Sequence, residues 1–318
     1  MANRYDFAVD RPGNASVGDT GDVQLRDIVK RLPLRVLTPE QFAAWQRDGY
    51  VVVPDAVPAE QIRRTVDFLW EFTEMDPADP SSWTGAERRP NEMTELNNSG
   101  MVEAYNHETL WANRQTPRIH DAFVDIWDRE DLWVTIDRAN LNTPNTGHRA
   151  FDGFIHWDCD TSIEPPPINV QGVLSLVDTD AEVGGFQCVP EIFRDFEAWK
   201  ARQPADRDPW RPDLGDLEPT FIPLKAGDLL IWNSLLAHGI RANRSDRPRI
   251  AQYIAMTPAD ETDAELREWR IRSWRERVAP EGYPFPGDPR DWERTRYATA
   301  RLSSLGRRLL GLESWYDG

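Results

Sequence analysis

Apolar residues recur along this chain with two periods, and the switch between them divides it. Over residues 58–75, Ile62, Val66, Leu69 and Phe72 fall at steps of four and three, which predicts a helix with one buried stripe. Ahead of it, Thr38 suits an N-cap, Pro39 the first helical position and Gln41 the return arm of a capping box. That helix, carrying Phe42 and Trp45, should end near Asp48-Gly49 and lead into a strand over 50–53, closed by Pro54. Residues 25–32 read as a short helix. Segments 103–113 and 116–128 also read as helical, anchored by Trp111, Ile119, Phe123 and Trp127. The Pro-, Ser-, Glu- and Asn-rich stretch 76–98 has no period and reads as a long loop.

From about residue 132 the pattern turns strand-like. Strands are expected over 132–141, 151–158, 169–178, after the Gly184-Gly185 turn, and over 220–224, 229–232 and 250–256. A turn is expected over 142–147, a helix over 191–200 and a Pro/Asp-rich loop over 201–219. Beyond Pro258 helical spacing returns, with Leu266, Trp269, Trp274 and Val278 on one helix and Leu302, Leu305, Leu309 and Leu310 on another. Short strands joined by Gly/Pro turns predict an α+β protein with a jelly-roll or cupin-like core at about 132–258, flanked by N- and C-terminal helices. We read one domain over 25–318, preceded by a flexible arm over 1–24 rich in Gly, Asp, Asn and Ser.

Composition narrows the partners. The 318 residues are ample for a buried core, and a net charge of -17 argues against nucleic acid or an anionic membrane as partner. An anionic small molecule held by a few local arginines is still compatible. Two cysteines, Cys159 and Cys188, make no disulfide framework. No apolar leader and no run long enough to span a bilayer occurs, so a cytoplasmic protein is expected. Nothing in the sequence indicates an oligomeric state.

The candidate chemistry centres on Phe154-Ile155-His156-Trp157-Asp158. Side chains two apart on a strand share a face, so His156 and Asp158 can reach one point. The chain has five histidines, and His238, followed by Gly239 at a strand end, is the candidate second imidazole. Two histidines and a carboxylate suit Fe(II) and leave open positions; zinc is compatible on ligand type alone. Each part has an ordinary counterpart, since a His-x-Asp pair arises by chance and a His before Gly is a common turn. Eleven residues after His238, Arg249 opens a strand, and its guanidinium fork is a natural partner for a carboxylate. The alternative is a rim salt bridge, with Arg241, Arg244 and Arg247 as competitors for the role.

These residues, with Asp48-Gly49-Tyr50-Val51-Val52, the run from Gly184 to Pro190, Gly227-Asp228 and Asn233-Ser234, resemble the phytanoyl-CoA dioxygenase-like family of non-haem Fe(II)/2-oxoglutarate oxygenases. The resemblance covers roughly 38–258. It implies a double-stranded β-helix, with Fe(II), 2-oxoglutarate and O2 as cofactors and cosubstrates. It implies His156, Asp158 and His238 as iron ligands and Arg249 on the distal carboxylate of 2-oxoglutarate. Ectoine-hydroxylase-like members add an Asn ahead of the His-x-Asp pair; Asn142 is the match, with Asn140 as competitor. Gln171 is a candidate for the cosubstrate or substrate, or simply a polar barrel residue. Two departures, Glu191-Ile192-Phe193 after Pro190 and Ile240 two after His238, point to differences in the pocket wall.

Related halogenases lack the carboxylate, so Asp158 implies hydroxylation of an unactivated C–H bond, with desaturation or cyclisation as variants. The expected partner is a small-molecule substrate. Trp157, Trp232, Phe154, Arg138, Asn140 and Gln252 are pocket candidates, the aromatic ones competing with a plain core role. Residues 76–105 and 201–219 are candidate lids. High Arg, Ala, Asp and Pro points to a GC-rich bacterium and a role in specialised metabolism. Two other classes stay open: a metal-dependent cupin isomerase or hydrolase, and a non-catalytic 2-oxoglutarate- or metal-binding protein.

Overall fold

The computed structural model describes residues 23–83, 96, 99–144, 152–280 and 286–316. Nearly all of the expected arm, most of the 76–98 loop, and the 142–147 turn beyond its first three residues lie outside the described residues, as does Phe151.

Twelve strands are described: β1 (Tyr50–Val53), β2 (Met101–Val102), β3 (Leu132–Val134), β4 (Ala139–Asn142), β5 (Phe154–His156), β6 (Val170–Ser175), β7 (Gly185–Cys188), β8 (Thr220–Phe221), β9 (Leu229–Asn233), β10 (His238–Arg241), β11 (Arg249–Tyr253) and β12 (Met256–Pro258). They form a six-stranded antiparallel sheet in the order β1-β9-β6-β11-β4-β2, a four-stranded one in the order β5-β10-β7-β8, and a β12-β3 ribbon. Two antiparallel sheets enclosing a common interior are the jelly-roll core that the strand pattern predicted. The β core starts earlier than 132, because β1 pairs with β9 from Tyr50↔Trp232 to Val53↔Leu229, and β2 pairs with β4.

Two apolar cores follow from this layering. The larger lies between the outer face of the large sheet and the helices, and includes Phe72, Phe123, Leu174, Ile231 and Ile250. The smaller gathers around the small sheet and includes Trp157, Phe186, Phe193, Leu230 and Trp232. Helix α1 (Pro39–Asp48) begins with the predicted capping box: Gln41 N donates to Thr38 Oγ1 at 3.2 Å, and Thr38 N donates to Gln41 Oε1 at 2.9 Å. Such a cap contributes about 1 kcal/mol. Helix α2 (Ala59–Thr73) buries Ile62, Leu69 and Phe72 of its predicted stripe, each worth roughly 2 kcal/mol on leaving water. Helices α3 (Glu108–Arg114) and α4 (Pro117–Trp127) complete the layer.

Three expectations are corrected. The helix expected over 25–32 is one turn, Leu25–Asp27, because tertiary partners claim the backbone that follows. Gln46 Nε2 donates to Arg26 O and Ile28 O, and the Asp128 carboxylate accepts from Arg31 N and Leu32 N. The strand expected over 132–141 is two strands with an irregular link, since the chain there crosses from β12 to β11. Thr135 N donates to Ala255 O, Ala255 N donates to Thr135 Oγ1, and Tyr253 N donates to Arg138 O. His238, expected just past a strand, opens its own strand β10. Beyond the core, α5 (Ala264–Glu276) docks through buried Arg270, whose guanidinium donates to the carbonyls of Val134, Leu309 and Leu310. No helix among the described residues is long and apolar enough to cross a membrane.

Candidate metal centre and its cavity

The register of β5 and β10 builds the site. His156 and His238 are direct cross-strand partners, so their side chains leave the sheet on one face. Gly239 makes this approach possible. A Cβ there would stand 1.8 Å from Phe154 O, so no side chain fits and the two strands close up. Asp158 lies just past β5, and the period of two returns its side chain to the His156 side. His156 Nε2 is 2.9 Å from Asp158 Oδ1, and His238 Nε2 is 3.1 Å from Asp158 Oδ2. The ligand atoms of the three residues all lie within 4.8 Å of one another.

The surroundings orient these atoms. His238 Nδ1 lies 2.8 Å from Leu236 O, so a proton on Nδ1 leaves the Nε2 lone pair facing the cluster. Phe186 stacks on His238 at 5.8 Å and Trp232 tilts against it at 5.0 Å. Gln171 Nε2 donates to Asp158 Oδ2 at 2.7 Å. Burial opposes charge on Asp158, but the charges and hydrogen bonds of His156 and His238 outweigh it and hold the carboxyl well below the ordinary range. For His156, burial pulls down and Asp158 pulls up, with a net rise. The donor set of two imidazoles and one carboxylate fits iron.

The triad opens onto a cavity of about 270 Å³. Arg249 lines it and is 5% exposed. Its Nη1 donates to Asn140 Oδ1 at 3.3 Å, and among the described residues it meets no carboxylate. Gly185, at φ 124°, gives it room: a Cβ there would sit 3.1 Å from Arg249 Nε.

The other candidates divide. Trp232, Gln171, Arg138 and Phe154 line the cavity. Asn142 is opposite Arg249 in the β11–β4 register, but the side chain Arg249 meets is Asn140's, and Asn142 does not line the cavity. Ala251, opposite Asn140, has only a methyl group and leaves space there. Trp157 faces away, packing on Phe196 and Trp199 and donating through Nε1 to Leu235 O at 2.9 Å. Gln252 also points away, bonded to Asn113 Nδ2 and Leu110 O under the helix layer. Neither is a pocket residue, and alternation foretells both: Trp157 sits between two ligands, and Gln252 is out of phase with Arg249 and Ala251. The same phase would have found Tyr253, which lines the cavity with Phe186, Met101, Thr135 and Asp137.

A family model described as phytanoyl-CoA dioxygenase (PhyH) matches residues 45–251. The Ava biosynthesis cluster protein O of Aspergillus versicolor is 25% identical over 248 residues, covering 69% of this chain and 79% of that protein. Two solved structures share the fold at low identity. GlcNAc Inducible Gene 2 of Candida albicans is 14% identical with a TM-score of 0.64, covering 88% of this chain and 78% of that one. The Escherichia coli protein JW0805 is 15% identical with a TM-score of 0.61, covering 86% and 81%.

Proposed function

The chain belongs to the phytanoyl-CoA dioxygenase family, and from that premise we propose that it hydroxylates an unactivated C–H bond of a small metabolite, using Fe(II), 2-oxoglutarate and O2. Residues 25–318 act as its single catalytic domain. The observation that carries the reading is Arg249, a buried guanidinium without a carboxylate partner among the described residues, on the wall of the triad's cavity. An uncompensated buried cation is costly, and the guanidinium fork matches a carboxylate ligand. A cupin isomerase or hydrolase needs no such clamp.

His156, Asp158 and His238 would hold the iron, and Arg249, steadied by Asn140, the distal carboxylate of 2-oxoglutarate. When bound, these groups supply the oxidation of a C–H bond coupled to decarboxylation of 2-oxoglutarate to succinate. Leu236 O keeps the His238 ring in the ligating tautomer, and Gln171 fixes the rotation of the Asp158 carboxylate. Phe186 and Trp232 keep water from one side of the cavity. Asp158 fills a ligand position that a halide would otherwise need, which favours hydroxylation. The name of the Aspergillus relative ties that protein to a biosynthesis cluster, in keeping with a role in specialised metabolism.

The test is succinate formation from 2-oxoglutarate under oxygen with added Fe(II) and a metabolite panel. Succinate production that one panel member stimulates, with a hydroxylated product, is expected. Absence of turnover together with absence of 2-oxoglutarate binding would refute the reading.

A further inference from the structure

One acidic side chain on the cavity wall is not used by the reading above. Asp137 lies in the irregular link between β3 and β4, on the side of the large sheet, whereas the triad comes from the strands of the small one. It lines the same cavity as the triad and Arg249, and 27% of its side-chain surface is open. Its Oδ1 accepts from Arg138 N at 2.6 Å and lies 3.6 Å from Arg138 Nε; its Oδ2 has no partner among the described residues.

Its carboxylate is only partly engaged. The Arg138 guanidinium stands between two carboxylates, Asp137 and Glu103, with Nη1 2.7 Å from Glu103 Oε1. Glu103 is committed further, since its Oε2 also accepts from Gly287 N and from the Tyr105 hydroxyl. The nearby buried Arg114 gives its Nη donors to the backbone carbonyls of Tyr105 and Asp137, not to the Asp137 carboxylate. Arg138 is therefore the cation that bonds these two carboxylates among the described residues, and Arg114 acts on Asp137 only through space. The other charges facing the cavity cancel once loaded: a divalent cation, Asp158, Arg249 and a dicarboxylate sum to zero. Burial raises the Asp137 carboxyl against the pull of Arg138 and Arg114.

We propose that Asp137 is a substrate-recognition residue, and that this part of the cavity takes a cationic, amine-bearing group of the substrate. The inference rests on the oxygenase reading for what shares the cavity. An ammonium donates to the open Oδ2 and brings a positive charge against the carboxylate; an alcohol does only the first, and a carboxylate meets repulsion. Charge-assisted hydrogen bonds exceed neutral ones by about 1–1.5 kcal/mol, which is roughly tenfold in affinity.

The experiment is calorimetric titration of the protein loaded with Mn(II) and 2-oxoglutarate, in mildly alkaline buffer, with hexylamine, hexanol and hexanoate as probes. Hexylamine should bind about tenfold more tightly than hexanol, with hexanoate weakest. In Asp137→Asn the amine and the alcohol should fall within about twofold of each other. If that variant melts early, Asp137→Ser replaces it, and the native preference decides on its own. Absence of saturable hexylamine binding, equal binding of hexanol or hexanoate, or a preference that survives in Asp137→Asn overturns the proposal. Titration of the native protein and Arg249→Ala with 2-oxoglutarate alone reads the cosubstrate assignment separately, so the two can fail independently.

Discussion

Gly239→Ala is the sharpest test of how the strands make the metal centre. Gly239 is not held at a positive φ, so the substitution acts through space alone. The new Cβ would start 1.8 Å from Phe154 O, a backbone atom that cannot rotate away. Real Cβ contacts are essentially never under 3.0 Å, so β10 and β5 must separate locally by about 1.2 Å. His238 and Gly239 are consecutive, and His238 is the direct partner of His156, so the separation falls on the pair of imidazoles. Overpacking of this kind costs about 1–3 kcal/mol of stability, which this fold can absorb. The metal cannot absorb it, because ligand bonds tolerate errors of only about 0.2 Å. Metal affinity should fall about 100-fold or more while the protein stays folded, as read by calorimetry with Fe(II) or Co(II) beside a metal-free melt. A folded Gly239→Ala protein that binds metal within about threefold of the native one would refute the idea that Gly239 sets the imidazole spacing.

The remaining predictions follow the same geometry. Arg249→Ala should weaken 2-oxoglutarate binding by about 100-fold or more with metal affinity little changed; an unchanged cosubstrate requirement would move the clamp elsewhere. Gln171→Leu removes the donor to Asp158 Oδ2 and should lower metal affinity by roughly 10–100-fold, checked by competition with a chelator. His107 is stacked on Phe68 at 3.6 Å, and burial first, then the charge of Arg64, lowers it from 6.5 to about 4. The unfolded chain thus takes up the proton before the folded one does. Its contribution is intact above pH 6.5 and is lost as pH falls from 6.5 to 4, by roughly 3 kcal/mol. Denaturant titrations of His107→Gln across that window should show a shallower acid slope; a slope equal to the native one would sink the assignment.

What could be read from the chain beforehand depended on whether local pattern or distant contact decides the element. The triad was readable because strand alternation is a local rule and five histidines leave few pairings. Helix α2 and the capping box of α1 were readable for the same reason. The segment over 132–141 was not, because its break is imposed by the switch from β12 to β11 and by Thr135 Oγ1 acting as a backbone-like acceptor. That break also hid Asp137. In a continuous strand Asp137 would sit out of phase with Arg138 and Asn140 and face the helices; the irregular link instead brings it to the cavity beside Arg138. The proposed iron ligands therefore lie on regular strands or directly beside one, where their spacing is visible in the sequence. The residue proposed to choose the substrate lies where the strand rule fails, and only the fold reveals it.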